Sequence, residues 1–364
     1  MSNDPSAVPM AHQHDFGEVL HHIQQTRQNV FSQVNTALMA LYWQVGHIVS
    51  DKVRREAWGK GVVSALAHYI AQTDPSIKGF SDKNLWRMKQ FYEAYQGDED
   101  LSSLARELPW THNVLIFSRC KSPEERTFYL RLTIADKLGK RDLERHIDAA
   151  LFERSSLPTK LSPAARELHP SIGAAFKDRY VLEFLGLPEP HSENDLKRAL
   201  VQHMKAFVLE LGKDFLHVGE EYRLQVGNQD FYIDLLFYHR GLSALVAFEL
   251  KVGQFKPEHM GQLNFYLEAL DRDVKKPHEN PSIGVLLCRD KDDEVVEYAL
   301  SRNLSPALVA QYQLQLPDKK LIAALARSIS GLADAVAVLQ ASSSRRKACA
   351  VSPVAIKALA CSHR

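Results

Sequence analysis

The sequence predicts an α+β protein, in which an all-helical N-terminal domain is followed by an α/β domain with a central mixed sheet. Apolar residues recur at helical spacing through most of residues 15–155. Between residues 222 and 251 the pattern changes to short runs rich in β-branched and aromatic residues, separated by Gly-containing turns. A helical stretch then leads to an apolar run at residues 281–288, which a right-handed crossover would place parallel to an earlier strand.

Length and composition describe an ordinary globular chain. Its 364 residues can form two domains with cores, and its formal net charge of +1 means that any nucleic-acid site must be a local patch. The four cysteines are widely spaced or lie near the end of the chain, and form neither a metal-binding nor a disulfide pattern. No apolar run approaches the roughly 20 residues of a membrane span, and no secretory signal opens the chain. We therefore expect a cytoplasmic protein with no membrane partner.

Proline content and charge suggest the domain limits. Residues 15–155 form the predicted helical domain, with a role in DNA binding or assembly, and residues 156–174, which contain Pro158, Pro163 and Pro170, are the predicted linker. The α/β domain is expected at residues 175–315. Residues 335–364 contain five basic and no acidic residues, which predicts a flexible basic tail.

Three segments carry secondary-structure expectations that bear on the site. Residues 97–105 are predicted to be a solvated loop, residues 180–185 a short helix, and residues 192–211 one long helix beginning after Ser192. The region from Asn303 onward is not assigned by its pattern.

The helical half contains one candidate DNA-binding helix. Ser81 is a good N-cap for a helix that extends to about Tyr95, after a Gly-containing turn. Lys83 and Arg87 fall opposite the apolar stripe of this helix, as expected for the second helix of a helix-turn-helix motif that contacts DNA. Any amphipathic surface helix shows the same division, and the pattern alone favours that interpretation.

Three charged residues interrupt two otherwise apolar strands. Asp234 lies in the predicted strand 231–238, and Glu249 and Lys251 lie in the predicted strand 245–251, where they share one face. If Asp234 faces the same way, two carboxylates and an ammonium converge, an arrangement that suits Mg²⁺ and phosphate. On residue types alone, cross-strand charge pairing on a solvated face is the commoner explanation.

A longer pattern around these residues resembles a known family. The matching stretches are Phe231-Tyr-Ile-Asp-Leu-Leu-Phe-Tyr-His239, Phe248-Glu-Leu-Lys251, Phe255-Lys-Pro-Glu258 and Asn264-Phe-Tyr266 in the second half, with Leu41-Tyr-Trp-Gln44, Trp58-Gly-Lys-Gly61 and Asn84-Leu-Trp-Arg-Met88 in the first. They resemble the YhcG-like family of nucleases, within the PD-(D/E)XK nuclease superfamily. The resemblance implies a restriction-endonuclease-like fold for the second domain. It also implies Mg²⁺-dependent hydrolysis of DNA phosphodiester bonds, with Mn²⁺ as a substitute, in DNA recombination, repair or defence.

The resemblance also implies roles for individual residues. Asp234 and Glu249 would ligate the metal together with the backbone carbonyl of Leu250, and Lys251 would position the attacking water or stabilise charge on the phosphate. Glu210 matches an acidic residue on the first core helix that commonly joins the site, directly or through water.

Four other positions are weaker candidates. Gln262 and Tyr266 share one helix face, and their Gln-x-x-x-Tyr spacing resembles a motif of RecB-like members of the superfamily that points toward the metal site. This resemblance implies that Gln262 would orient groups around the site and that Tyr266 would face the nucleic acid, although a buried or capping tyrosine is an equal alternative. Glu220 and Glu221, at the head of the first strand, are alternative acids that we expect to be solvated.

The sequence leaves several functional alternatives open. A non-catalytic DNA-binding or assembly protein could use a nuclease-like domain as a scaffold. A nuclease acting on RNA would use the same metal chemistry. The sequence does not decide whether the chain forms a homo-oligomer.

Overall fold

The computed structural model describes residues 13–56, 58–168 and 172–324. Within these ranges the chain forms two compact units, which meet in sequence between Ile147 and Asp148. The predicted basic tail at residues 335–364 lies outside the described residues. In the described part of the chain, no helix combines the length and the apolar character that crossing a bilayer requires.

The first unit is built from helices. They are α1 (Gln13–Glu56), α2 (Lys60–Thr73), α3 (Asp82–Tyr95), α4 (Glu99–Glu107), α5 (Trp110–Arg119), α6 (Pro123–Asp136) and α7 (Lys140–Asp148), the last of which ends at the boundary. Met39, Val63 and Met88 are fully buried where α1, α2 and α3 pack together. The crossing of α1 and α3 depends on Gly46, because a Cβ there would lie 2.1 Å from the backbone oxygen of Met88.

Helix α4 occupies much of the segment 97–105, for which the sequence predicts a loop. Asp98 caps it by accepting a hydrogen bond from the backbone N–H of Leu101 (3.0 Å). The acidic residues of its first turn interact favourably with the helix dipole, and Leu101 and Ala105 are buried. Acidic residues that suggested a solvated loop therefore begin an amphipathic helix.

The described part of the second unit contains a mixed sheet, as predicted, and the sheet has six strands. Its strands are β1 (Arg179–Val181), β2 (Phe215–Val226), β3 (Gln229–His239), β4 (Ala244–Gln254), β5 (Asn280–Asp290) and β6 (Ala307–Gln313), in the spatial order β1-β6-β5-β4-β3-β2. Strands β2, β3 and β4 are antiparallel neighbours, whereas β4, β5, β6 and β1 run parallel. The predicted fold class, helices followed by an α/β domain with a mixed sheet, is confirmed.

Helices cover both faces of the sheet. They are α8 (Leu151–Ser155), α9 (Pro163–Leu168), α10 (Ile172–Ala175), α11 (Glu193–Gln202), α12 (Met204–Leu211), α13 (His259–Ala269) and α14 (Asp293–Ser301). Alternate residues of β4 enter two different cores. Phe248 packs with Phe207 of α12 in one core, and Ala247 lies with Leu263 of α13 in the other. Strand β4 is therefore central, and the charged residues near its end lie beside helices from both layers.

Two helix predictions in this unit are wrong. Residues 180–185 form the end of β1 followed by a short 3₁₀ turn (Glu183–Leu185), because the short apolar run pairs with β6. The predicted long helix after Ser192 is broken at His203 into α11 and α12.

The segment predicted to be a linker belongs to the second unit and packs against its sheet. The hydroxyl of Ser162 donates to the backbone oxygen of Ser305 (2.8 Å) and accepts from the backbone N–H of Ala307 (3.0 Å). Leu161 forms an isolated bridge with Leu308. These contacts place residues 161 and 162 beside the start of β6.

Candidate active site

The site lies where two neighbouring strands separate. Pairing between β3 and β4 extends only from His239–Ala244 to Leu235–Phe248, although β3 begins at Gln229 and β4 continues to Gln254. Beyond that pair, β3 remains bonded to β2, and β4 remains bonded to β5. The two strands therefore diverge, and Asp234 and Glu249 are the first residues of the resulting crevice.

Asp234 is held by the backbone of the neighbouring strand. Its Oδ2 accepts a hydrogen bond from the backbone N–H of Leu250 at 2.9 Å. That N–H lies beyond the paired part of β3, so the carboxylate replaces the strand carbonyl that would otherwise accept its bond. The other oxygen, Oδ1, lies 3.5 Å from Nζ of Lys197.

Glu249 is a buried carboxylate with one oxygen unsatisfied. It is 3% exposed, and its Oε1 lies 2.9 Å from Nζ of Lys251. Its Oε2 is buried and has no hydrogen-bond partner among the residues that the structure describes. Burial, and then the negative charge of Asp234, raise the pKa of Glu249 to about 7. Because an unsatisfied buried carboxylate oxygen is costly, this atom is well suited to receive a cation.

Lys251 lies between two carboxylates. Its Nζ is 2.9 Å from Glu249 and 3.4 Å from Oε2 of Glu193, the first residue of α11. Burial by itself would lower the pKa of Lys251, but the hydrogen bonds and charges of Glu249 and Glu193 outweigh burial, so the pKa is raised. The side chain therefore remains an ammonium ion. It can stabilise negative charge but cannot accept a proton.

Helix α13 brings two of the predicted residues beside the crevice. Nε2 of Gln262 donates to the hydroxyl of Tyr266 at 2.6 Å, and Tyr266 is 4% exposed. Burial raises the pKa of Tyr266, and the charges of Glu249 and Asp234 raise it further, against the opposing effect of the Gln262 hydrogen bond. The tyrosine ring is therefore buried, and its hydroxyl lies within the electric field of the carboxylates.

Glu210 is committed to a different part of the unit. It is fully buried, and its Oε1 accepts hydrogen bonds from Nη1 of Arg154 (2.7 Å) and from the backbone N–H of Val181 (3.1 Å). Val181 belongs to β1, three strands from β4, which corresponds to about 14 Å at the usual strand spacing. The structure thus corrects the expectation that Glu210 joins Asp234 and Glu249. Its carboxylate neutralises a buried arginine instead.

Two residues that the sequence reasoning missed lie beside the crevice, Glu193 and Lys197 of α11. Lys197 contacts both Asp234 and Oε1 of Glu221, at 3.5 and 2.7 Å. Burial would lower the pKa of Lys197, but these two carboxylates outweigh it and raise the pKa. Glu193 and Lys197 are four residues apart and therefore share one helix face, and this spacing could have marked them in the sequence as a pair of candidate site residues. The sequence does not show that this end of the helix lies over β4.

The predicted DNA-contacting residues lie on α3, in the first unit. Lys83 is exposed and Arg87 is half-buried, and Ser81 caps the helix by accepting from the backbone N–H of Asn84 (3.3 Å). Leu85 is on the buried side of the same helix. The helix is therefore amphipathic as predicted.

The donor set fits a hard divalent cation that uses few protein ligands. Among the residues that the structure describes, no three His, Cys, Asp or Glu side chains gather as a metal-binding group. Asp234 and Glu249 nevertheless provide two carboxylates, one with an unsatisfied buried oxygen. Mg²⁺ is commonly bound by one or two carboxylates, with water and phosphate in its other positions.

Comparison with known proteins identifies the class and then the family. Residues 173–327 match the YhcG PDDEXK nuclease domain, and residues 18–154 match the DUF1016 N-terminal domain. The second unit thus contains a nuclease domain of the PD-(D/E)XK class. Over 343 residues, the chain is 32% identical to the Escherichia coli (strain K12) protein named "Putative nuclease YhcG", covering 84% of this chain and 91% of that protein. The chain belongs to the YhcG family, which confirms the resemblance found in its sequence.

A solved structure gives a much weaker match. The crystal structure of a repair endonuclease from Pyrococcus abyssi aligns with 14% sequence identity and a TM-score of 0.24. The alignment covers 36% of this chain and 50% of that one. This likeness is too low to bear on fold or function.

Proposed function

We propose that this protein is a metal-dependent nuclease that hydrolyses phosphodiester bonds in DNA. The observation that carries the proposal is the buried, unsatisfied Oε2 of Glu249, in a crevice that also contains Asp234 and the ammonium group of Lys251. Membership of a nuclease family supports the reaction class. The proposed biological setting is DNA recombination, repair or defence.

Asp234 and Glu249 would hold Mg²⁺ or Mn²⁺ through their carboxylates, with the backbone carbonyl of Leu250 as a further oxygen ligand. Such an ion would supply positive charge to polarise the phosphate and to lower the pKa of water. The chain itself fixes Asp234 through the N–H of Leu250 and supports Glu249 through Lys251.

Lys251 would act on the substrate as a cation. Hydrolysis adds the oxygen of water to phosphorus, breaks the bond to the leaving oxygen, and increases negative charge on the phosphate. The ammonium group, already desolvated between Glu249 and Glu193, would stabilise that charge without reorganisation. Gln262 would orient polar groups around the crevice through its hydrogen bond to Tyr266, whose hydroxyl would face the nucleic acid while its ring stays buried.

We also propose two interactions of the helical unit. Lys83 and Arg87 would contact DNA phosphates from α3.

Two copies of the chain would associate along α1, where ten large apolar side chains between Phe16 and Ile48 are at least 37% exposed. They fall on one stripe of the helix, and the area they could bury is on the order of 800 Å² per copy, the usual size of a stable interface.

A cleavage panel tests the proposed activity. Linear, circular, branched and single-stranded DNA would be offered beside RNA, with Mg²⁺, with Mn²⁺ or with chelator. We expect metal-dependent cleavage of DNA. Under single-turnover conditions at saturating protein, Lys251→Ala should reduce the rate by orders of magnitude while substrate still binds.

The possible results separate the alternatives. Cleavage of RNA alone would change the substrate class. Wild-type protein that binds DNA but cleaves nothing with either metal would support a scaffold. Equal cleavage by wild type and Lys251→Ala would leave the activity standing and remove the role of Lys251.

A further inference from the structure

Lys197 bridges two carboxylates that belong to different strands. Its Nζ lies 2.7 Å from Oε1 of Glu221 on β2 and 3.5 Å from Oδ1 of Asp234 on β3. The lysine is largely buried, with 18% of its side chain exposed, whereas the Glu221 side chain is 63% exposed. The ammonium group is therefore shared between one carboxylate at the proposed metal site and one outside it.

The backbone of β2 is unusual where it presents Glu221. The strand changes register between His217 and Gly219, and Glu221 has φ of 44°, in the left-handed region that non-glycine residues seldom adopt. Such conformations persist only when their surroundings enforce them, and they concentrate at functional sites. In this conformation Glu221 forms the ion pair with Lys197.

Glu221 and Lys197 also line a cleft of about 610 Å³ between α11 and β2. The cleft gives the side chain of Lys197 room to withdraw from Asp234 while it keeps its shorter contact with Glu221. A lysine has a flexible four-carbon stem, so its ammonium group can give up the contact with Asp234 and keep the one with Glu221 without any backbone change.

We propose that Asp234 and Glu221 share Lys197 as their counterion in the metal-free protein, and that Glu221 alone retains Lys197 when a divalent cation binds at Asp234. The pair would thereby set the affinity of the site for its cation. The physical reason is that an ammonium group beside Asp234 neutralises the carboxylate and repels an incoming cation, whereas Glu221 draws that ammonium group away. This inference rests on the proposed metal-dependent function.

The inference predicts opposite effects for the two members of the pair. Mn²⁺ alone would be titrated into the full-length protein, with free Mn²⁺ measured by electron paramagnetic resonance. Lys197→Met should lower the Kd roughly fivefold, and Glu221→Gln should raise it by a similar factor, the effect of about one partly exposed ion pair. Lys197→Arg, which keeps the charge, should remain close to wild type.

A second readout concerns the metal-free protein. Lys197→Met should lower its melting temperature, because Asp234, Glu249 and Glu193 are then left with one compensating cation fewer. Saturating Mn²⁺ should restore the melting temperature to the wild-type value or above it.

A matched control and a double variant separate positioning from bulk charge. Lys160 and Glu297 form another lysine–glutamate pair in the same unit, at 3.2 Å, so Lys160→Met and Glu297→Gln should leave the Mn²⁺ affinity unchanged. The Lys197→Met/Glu221→Gln double variant should bind Mn²⁺ like Lys197→Met alone, since Glu221 acts through the lysine. If Glu221→Gln changes the Mn²⁺ affinity equally in the presence and in the absence of Lys197, then Glu221 does not act through the lysine and its proposed positioning role is refuted.

Other results would also overturn the inference. Affinities within about twofold of wild type for both single variants, or shifts in the same direction, would refute it. If the wild type binds Mn²⁺ and cleaves DNA while the variants are unchanged, only this inference fails. If the wild type binds no Mn²⁺, the inference and the proposed metal dependence fail together.

Discussion

At the scale of single residues, the ionisation of Glu249 makes the metal-free protein sensitive to pH. Burial and Asp234 raise its pKa from 4.5 to about 7 in the folded protein. Folding therefore favours the neutral carboxyl of Glu249 over its carboxylate. The stability that the neutral carboxyl contributes to the folded protein is fully present below about pH 4.5 and is lost as the pH rises through 7.

Glu249→Gln should therefore become more stable relative to wild type as the pH rises from about 4.5 to above 7. The amide keeps the neutral shape at every pH, and the difference should reach an order of 3 kcal/mol. Urea unfolding with chelator at pH 5 and pH 8 measures it. A difference in unfolding free energy that is the same at both pH values would contradict the electrostatic assignment.

Glu210 provides a second prediction at this scale, because it compensates a buried charge. Arg154 and Glu210 are both fully buried as side chains, 2.7 Å apart. Glu210→Ala leaves an uncompensated buried guanidinium, so the free energy of unfolding should fall by about 3–5 kcal/mol. Chemical denaturation measures this decrease.

The control for Glu210 is Glu193, whose side chain is 48% exposed. Glu193→Ala should cost little stability, because exposed ion pairs contribute at most about 1 kcal/mol. If Glu210→Ala remains stable but binds Mn²⁺ more weakly, then Glu210 belongs to the metal site after all.

At the scale of elements, helix α3 provides a test of DNA binding by the first unit. Lys83→Ala/Arg87→Ala should make the salt dependence of DNA binding shallower, by about 0.9 in the logarithmic slope for each phosphate that is no longer neutralised. Fluorescence anisotropy at several salt concentrations measures this slope.

A matched control for α3 uses two lysines that are already paired. Lys52 and Lys89 each form an ion pair with a glutamate one helical turn later, at 2.5 and 2.7 Å. Their double alanine variant removes the same charge and should leave the slope as in wild type. An unchanged slope in the Lys83/Arg87 variant would mean that α3 is an ordinary surface helix.

Sequence patterns predicted elements well where burial is periodic, and poorly where local and tertiary preferences compete. The strands around Asp234 and Glu249 were predictable, because apolar residues surround each charge. The acidic residues at 98–100 also suit a helix N-terminus, so the loop prediction there was wrong. The strand from Arg179 to Val181 is too short for periodicity to distinguish it from a helix, and pairing with β6 decides its conformation.

At the scale of the whole molecule, the sequence could not show which side chains of the first core helices reach the crevice. Glu210 and Glu193 are both acidic residues on those helices. Folding places Glu210 beside β1 and Glu193 beside Lys251, and the predicted long helix that would carry both is interrupted at His203 between α11 and α12. The pattern of local residues contains no information about that arrangement. Asp234 and Glu249 were easier to place, since each lies directly next to the last paired residue of its strand, Leu235 in β3 and Phe248 in β4.

Self-association is the prediction that concerns the molecule as a whole. The stripe on α1 spans 33 residues, about 48 Å of helix, and contiguous exposed apolar surface of this extent is rare on monomers. Ile23→Lys/Val34→Lys places two charges within the stripe and should convert a dimer to a monomer, measured by size-exclusion chromatography with light scattering. Gln25→Lys/Ser32→Lys adds the same charges on the opposite side of the helix and should remain dimeric. A wild-type protein that is monomeric at tens of micromolar would refute the proposed dimer. Dissociation of the dimer in both double variants would show that added charge, and not the apolar stripe, controls association.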